Sequence, residues 1–155
     1  MMLMNSTKRE FLVGEQVRGA PHLDRFGVEA LPTGYVVCAP GGRVGEVGAA
    51  ELIQPTDVDL VHAYALCARM FGFSLLYLEA GRGADTPVHP ELIAKAASVD
   101  GLTLLVGGGL RSPDDVRTAV EAGAKWIVTG TVTEDASSLD ELRSRLAGLV
   151  QACRA

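Results

Sequence analysis

The chain of 155 residues contains few cysteines and histidines, and their spacing excludes two common kinds of site. Cys38, Cys67 and Cys153 are odd in number, far apart and never in a C-x-x-C pair, so the sequence predicts neither a disulfide framework nor a zinc site. The three histidines are equally dispersed, and none has an acidic or cysteine neighbour at ligand spacing. We interpret the cysteines as reduced packing residues of a cytoplasmic protein.

Basic charge and long apolar runs are also scarce. Lys+Arg number 14 against Asp+Glu 19, a formal net charge of -5, and the basic residues are scattered singly. A broad nucleic-acid surface is therefore not expected. No window holds about 18 uninterrupted apolar residues, which excludes a transmembrane segment. The apolar run at the start is short and precedes its charges, so we expect no signal peptide.

Glycine, by contrast, is abundant. Eighteen glycines occur without a Gly-X-Y period, which indicates tight loops or close approaches of the backbone to a ligand. A hydrophobic fraction of 48% argues against disorder, and 155 residues provide one core. We therefore predict a single domain over 1–155.

Short apolar runs alternate with helical patterns along most of the chain. Strands are predicted at 2–4, 34–39, 74–79, 102–106 and 126–129, and each of the last four ends in glycine. These runs are continuously apolar, which is typical of strands covered on both faces. Helices are predicted at 11–26, 57–72, 90–98, 112–123 and 138–152. The alternation predicts an α/β fold with a parallel sheet of about five βα units.

The ends of two helices can be predicted from individual residues. Ser112 is a suitable N-cap, Pro113 suits the first helical position, and Gly123 suits the C-terminal cap. Thr56 is expected to open the helix at 57–72. The glycine-rich segment 40–48, which contains Arg43 and Glu46, is expected to form a mobile flap or a close turn over the site.

The loops that follow the strands are the expected place for reactive groups. The segments 107–109 and 129–131 occupy consecutive loops, and both contain glycine. Backbone N–H groups in such loops can approach an anion, and a helix N-terminus adds partial positive charge. Glycine after a strand is also ordinary turn chemistry. Because the two loops are consecutive, the pair favours a phosphate site.

Several side chains fall at the same end of the predicted sheet. Glu79 ends an apolar strand and could accept a proton from a substrate hydroxyl, and Tyr77 shares its face. Arg82, between two glycines, either reaches a phosphate or carboxylate or is a solvated loop residue. Tyr35 lines an apolar groove or packs in the core. Two further polar residues end the first strand at this face, Asn5 and Ser6.

Three stretches of the sequence form a recognisable set: Tyr77-Leu-Glu-Ala-Gly-Arg-Gly-Ala84, Leu105-Val-Gly-Gly-Gly-Leu-Arg-Ser-Pro113 and Ala122-Gly-Ala-Lys-Trp-Ile-Val-Thr-Gly-Thr131. They resemble signatures of the geranylgeranylglyceryl phosphate synthase family. The segments 3–6, 31–37 and 40–45 fit the same pattern, so the resemblance runs from about residue 3 to residue 135. Members of this family are TIM-barrel prenyltransferases that join a polyprenyl diphosphate to a hydroxyl of a three-carbon phosphate.

The resemblance implies a partial (β/α)8 barrel made of about five C-terminal βα units. It implies catalytic roles for Tyr77 and Glu79 and a prenyl groove that Tyr35 could line. It also implies Mg²⁺ at the diphosphate, although no residue of this chain matches the family's metal ligands. The implied substrate-binding residues are Tyr77, Leu78, Glu79, Ala80, Gly81, Arg82, Gly83, Gly107, Gly108, Gly130 and Thr131.

One position departs from the family pattern, and other functions stay open. The family usually has serine where this chain has Arg82, and a related branch uses 3-phosphoglycerate, so Arg82 could pair with that extra carboxylate. The alternative function is a truncated, non-catalytic half-barrel that binds a phosphate ligand or assembles with another chain. We expect a homo-oligomer or pairing with a missing barrel half. A phosphate-binding barrel enzyme of amino-acid biosynthesis would lack the motif at 77–80.

Overall fold

A computed structural model describes residues 1–154 as one parallel sheet with helices between its strands. The sheet order is β1-β2-β3-β4-β5, so each strand pairs with the next one along the chain. The parallel α/β fold predicted from the sequence is confirmed. The strands are β1 (Met2–Leu3), β2 (Thr33–Val37), β3 (Leu75–Glu79), β4 (Thr103–Gly107) and β5 (Trp126–Val128).

Helices connect all of these strands. After β1, a π-helical turn at Glu10–Gly14 continues directly into α1 (Glu15–Arg25). None of the helices in residues 1–154 has the length and apolar character needed to cross a membrane. The remaining helices are α2 (Gly42–Val47), α3 (Val58–Met70), α4 (Pro90–Ala97), α5 (Pro113–Glu121), α6 (Thr131–Glu134) and α7 (Leu139–Ala152).

The sequence rules for helix ends hold at α5 but not at α3. The Ser112 side chain accepts from the N–H of Asp115, and the Asp115 carboxylate accepts from the N–H of Ser112. Gly123, just beyond α5, has φ +116°. At α3 the cap residue is Asp57, not Thr56, and its carboxylate accepts from the N–H of Gln54. The expectation for Thr56 was wrong because this local turn places Asp57 at the cap position.

The expectation of a flap or turn at 40–48 was also wrong, because most of this segment forms α2. Gly41 precedes the helix with φ +82°. Gly45 is buried, and a Cβ placed on it would lie 2.9 Å from Cδ2 of Leu52. A glycine at position 45 therefore allows α2 to pack closely on its neighbour, whereas a flap would expose it.

The core lies between the central strands and the helices α3, α4 and α5. Val36, Leu76 and Val106, one from each of β2, β3 and β4, are fully inaccessible to solvent. β5 differs, because Trp126 is 49% exposed and Val128 is 38% exposed. The sequence predicted that β5 is covered on both faces. This prediction was wrong, because β5 pairs with β4 at one edge of the sheet.

Two polar residues after β1 are buried and bonded to the backbone. Asn5 Nδ2 donates to the carbonyls of Val37 and Glu51 at 2.8 Å each, and Asn5 Oδ1 accepts from the N–H of Val37 at 3.1 Å. Ser6 Oγ donates to the carbonyl of Gly48 at 2.6 Å. These side chains join β1 to β2 and to the segment after α2, so they hold the fold together at this end of the sheet.

We expect Asn5→Ala to lower the free energy of unfolding by about 3 kcal/mol, because buried backbone groups lose their partners. The measurement is urea unfolding followed by circular dichroism. Thr7→Ala is the matched control: the Thr7 hydroxyl donates to the carbonyl of Ala49 at 3.0 Å, but at an exposed site. This control should cost less than about 1 kcal/mol. Equal losses for the two variants would show that Asn5 has no special structural role.

Candidate active site

A cavity of about 210 Å³ opens where β3, β4 and β5 end. It is called the polar cavity because the charged residues Glu79, Arg82 and Arg111 line it. Loops distant in sequence meet there because the carboxyl ends of parallel strands share one edge of the sheet. The cavity is smaller than the roughly 300–1,000 Å³ of sites for drug-sized ligands, so it suits a small polar molecule. The residues anticipated from the sequence that line it are Tyr77, Glu79, Arg82, Gly83, Gly108, Gly130 and Thr131.

A buried carboxylate is fixed in the wall of this cavity. Glu79 is only 8% exposed, and its Oε2 accepts a hydrogen bond from the Tyr77 hydroxyl. Its Oε1 accepts from the N–H of Gly81 at 2.8 Å. Burial raises the pKa of Tyr77, and the hydrogen bond to Glu79 raises it further. The tyrosine is therefore a protonated donor at neutral pH and orients the carboxylate.

Two neighbours of Glu79 also stay neutral: Tyr35 on β2 and Cys38 directly after β2. The ring of Tyr35 packs against that of Tyr77 with centroids 5.0 Å apart. Burial raises the pKa of Tyr35, and the nearby Glu79 adds to the effect. Burial, followed by the charge of Glu79, raises the pKa of Cys38 to about 12. Glu79 is thus surrounded by protonated hydroxyl and thiol groups that do not compete with it as a base.

Three of the glycines predicted at the site make room for this arrangement. A Cβ on Gly107 would overlap the Tyr77 hydroxyl. Gly108 has φ +78°, and a Cβ there would lie 2.5 Å from Glu79 Oε1. Gly81 has φ +104°, and a Cβ there would lie 2.6 Å from the backbone of Gly41. These glycines allow the strand-end loops to pack against one another and leave space for the buried carboxylate.

Free backbone donors also line the cavity. Gly108 and Gly109 come from the loop after β4, and Gly130 and Thr131 from the loop after β5. Among the hydrogen bonds formed within residues 1–154, none has the N–H of any of these four residues as its donor. Free backbone N–H groups in glycine-containing loops can bind an anion. The cavity therefore combines a fixed carboxylate with a site that suits a phosphate.

Two arginines add positive charge to the cavity. Arg82 donates to Glu134 Oε2 at 2.5 Å, a contact that joins the loop after β3 to α6. Arg111 donates to the carbonyl of Gly83 at 2.9 Å and lies 3.7 Å from Asp85. Sequence reasoning missed Arg111, although a cation directly after the glycine-rich segment 107–110 was a visible signal.

Other residues of the implied set do not line the cavity. The side chains of Leu78 and Ala80 are fully buried in the hydrophobic core, because they alternate with Tyr77 and Glu79 along the chain. The N–H of Gly81 is bonded to Glu79, and Gly107 lies behind the Tyr77 hydroxyl. These four residues shape the site from behind the residues that face the cavity.

Residues 1–154 offer no ligand set for the magnesium that the resemblance implies. In the part of the chain that the structure describes, no three His, Cys, Asp or Glu side chains come together to hold a metal ion. Glu79 has both oxygens bonded, and Glu134 is paired with Arg82. These residues do not fit a resident metal ion.

An apolar groove of about 470 Å³ adjoins the polar cavity. Arg82 lines both spaces, and the two tyrosine rings that contact each other lie one on each, because Tyr35 lines the groove and Tyr77 lines the cavity. A small anion and a hydrocarbon chain could therefore bind side by side. The apolar side chains of the groove include Leu3, Phe11, Tyr35, Val44 and Val47.

Comparison with known proteins gives a consistent result. The model of the PcrB family matches residues 1–147. Geranylgeranylglyceryl phosphate synthase of Thermococcus gammatolerans is 44% identical over 146 residues, which are 94% of this chain and 58% of that protein. The same-named protein of Cenarchaeum symbiosum is 48% identical over 149 residues, which are 96% of this chain and 60% of that protein.

A solved structure is similar over almost the whole chain. The (S)-3-O-geranylgeranylglyceryl phosphate synthase of Thermoplasma acidophilum, in complex with sn-glycerol-1-phosphate, superposes with a TM-score of 0.93 at 37% identity. The match covers 99% of this chain and 61% of that one. The chain thus spans about three fifths of the length of the relatives that it matches.

Proposed function

The chain belongs to the PcrB family, and from that premise we propose that it is a prenyltransferase acting on a three-carbon phosphate. It joins a polyprenyl diphosphate, such as geranylgeranyl diphosphate, to the hydroxyl of sn-glycerol 1-phosphate and forms an ether. The observation that supports this most is the juxtaposition of Glu79, held by Tyr77, with the free N–H groups of two loops in one small cavity.

The proposed reaction follows from this placement. The acceptor phosphate binds the N–H groups of Gly108, Gly109, Gly130 and Thr131, which directs the glycerol hydroxyl toward Glu79. The hydroxyl oxygen forms a bond to the first carbon of the prenyl chain as the bond from that carbon to the diphosphate breaks. Glu79 takes the hydroxyl proton, a role that contributes about 10²–10⁴-fold to a rate. The apolar groove holds the prenyl chain and keeps water from the reacting carbon.

A second acceptor, 3-phosphoglycerate, is favoured by one feature of the cavity. Arg82 and Arg111 both line it, and a glycerol phosphate offers a single anionic group, whereas 3-phosphoglycerate offers two. A guanidinium matches a carboxylate with two parallel hydrogen bonds. The acceptor preference of the wild type is therefore part of the test.

The alternative from another class is a non-catalytic half-barrel that binds phosphate or assembles with another chain. Two observations favour assembly: β1 and β5 are the edge strands of the sheet, and Trp126 on β5 is exposed. Unpaired edge strands invite pairing with a further strand. We propose either a homo-oligomer or a partner that supplies the remaining barrel strands. The proposed compartment is the cytoplasm, where the free thiols of this chain would stay reduced.

The test of the proposed function is an assay of the purified chain with labelled geranylgeranyl diphosphate, Mg²⁺ and each acceptor separately. We expect an ether-linked prenyl product with sn-glycerol 1-phosphate, identified by mass spectrometry. Binding of sn-glycerol 1-phosphate is measured in parallel by calorimetry. Binding without product, with either acceptor, would favour the non-catalytic alternative. Neither binding nor product would contradict both functions.

A further inference from the structure

Arg82 occupies the junction between the polar cavity and the apolar groove. We infer that its guanidinium binds the diphosphate of the prenyl donor, an inference that rests on the proposed function. Of the residues that line the cavity, Arg82 also lines the groove. The family pattern places a serine at this position, so the cation is a property of this chain.

The positions of the polar cavity and the apolar groove determine where the reacting bond lies. The acceptor hydroxyl lies at Glu79 in the cavity, and the prenyl chain lies along Tyr35 in the groove. Attack requires the two reacting atoms to approach to about 3–3.5 Å, so the first prenyl carbon must lie at the junction. The diphosphate is bonded to that carbon and therefore lies beside it, next to Arg82.

The charge around Arg82 suits a polyanion. Arg43 is a second cation in the wall of the groove, and the one acid there, Glu15, is paired with Arg18. The side chain of Arg82 is 74% exposed, and its contact with Glu134 is an ion pair at the surface. Such exposed pairs are weak. A diphosphate, which carries more negative charge than Glu134, can displace this carboxylate and take two hydrogen bonds from the guanidinium.

Arg82 would then act on the leaving group. As the bond between the prenyl carbon and the diphosphate oxygen breaks, its electron pair stays on that oxygen, where the guanidinium meets the new charge. The acceptor oxygen forms the new carbon–oxygen bond, and its proton passes to Glu79. No oxidant, reductant or further reactant is needed.

The experiment is calorimetric titration of the intact chain with inorganic diphosphate and, separately, with sn-glycerol 1-phosphate. Arg82→Ser should weaken diphosphate binding about tenfold or more and change sn-glycerol 1-phosphate binding less than about threefold. Arg82→Lys should fall between wild type and the serine variant. The matched control is Arg143→Ser, because Arg143 is an exposed arginine of α7 outside both spaces, and it should change neither affinity.

Three results would overturn the inference: no diphosphate binding by the wild type, equal diphosphate binding by wild type and Arg82→Ser, or a loss confined to sn-glycerol 1-phosphate. The third would assign Arg82 to the acceptor. The proposed function fails separately. If the chain binds diphosphate through Arg82 but forms no ether, the inference holds and the proposed function is wrong. If Arg82→Ser forms the ether with the donor KM of the wild type, the proposed function holds and the inference is wrong.

Discussion

Replacing Glu79 by glutamine should slow ether formation by about 10²–10⁴-fold, because the amide cannot take the acceptor's proton. The fold should survive, since both hydrogen bonds of the side chain can be replaced. The amide oxygen can accept from the N–H of Gly81, and the amide nitrogen can donate to the Tyr77 hydroxyl. The measurements are kcat for ether formation and the urea unfolding midpoint.

The control for this variant is Glu121→Gln at the end of α5, an exposed carboxylate that does not line the cavity. It changes the net charge equally and should leave kcat unchanged. A Glu79→Gln protein with a kcat near that of the wild type would show that Glu79 is not the base. A large fall in the unfolding midpoint would mean that its role is structural.

Gly108→Ala should both destabilise the protein and abolish activity. Gly108 has φ +78°, and the new Cβ would lie within 2.6 Å of Glu79 Oε1 and of the N–H nitrogen of Gly81. The backbone conformation alone costs an alanine about 1 kcal/mol, and the overlap adds strain that the buried carboxylate must relieve by moving. We expect a loss of about 3 kcal/mol in unfolding free energy and a fall in kcat of about 10²-fold or more.

Gly101→Ala isolates the backbone part of this effect. Gly101 has φ +84°, nearly the same as Gly108, but a Cβ there meets nothing within 4 Å, and it lies in the turn before β4. It should lose about 1 kcal/mol and keep its activity. If both glycine variants lost equal stability and kept activity, the close packing of Gly108 on Glu79 would have no functional importance.

Local chemistry explains which parts of the fold were predictable. The strands were found because each is a short apolar run and the last four end in glycine, and α5 because Ser112, Pro113 and Gly123 determine its ends. The family resemblance, taken from motifs on three strand ends, is confirmed by the match over residues 1–147. The partial barrel is confirmed by the superposition on a solved relative, of which it covers 61%.

Features that depend on tertiary contacts were missed. α2 has the composition of a loop, and its Gly45 is explained only by the side chain of Leu52 packed against it. α6 is a single turn of Thr131–Glu134, too short to show a period. The exposed face of β5 follows from its position at the edge of the sheet, which its apolar sequence does not indicate.

The candidate site was also predicted only in part: its strand residues were found, and its contacts between distant residues were not. Tyr77 and Glu79 were found because side chains alternate along a strand, and the hydrogen bond between them follows from that spacing. The contact of Arg82 with Glu134 and that of Arg111 with Gly83 join residues 52 and 28 positions apart in the chain. Single-sequence patterns hold no information on such pairs. Asn5 was placed at the correct end of the sheet, but its buried backbone partners were not predictable.

The most direct test of the proposed acceptor site is a titration of ¹⁵N-labelled protein with sn-glycerol 1-phosphate, followed by amide chemical shifts. It requires no turnover and reports on each backbone donor separately. We expect the largest shifts at the N–H groups of Gly108, Gly109, Gly130 and Thr131, with Gly101 unmoved. The absence of shifts at these four amides at saturating ligand, or larger shifts elsewhere, would contradict the assignment of this cavity as the phosphate site.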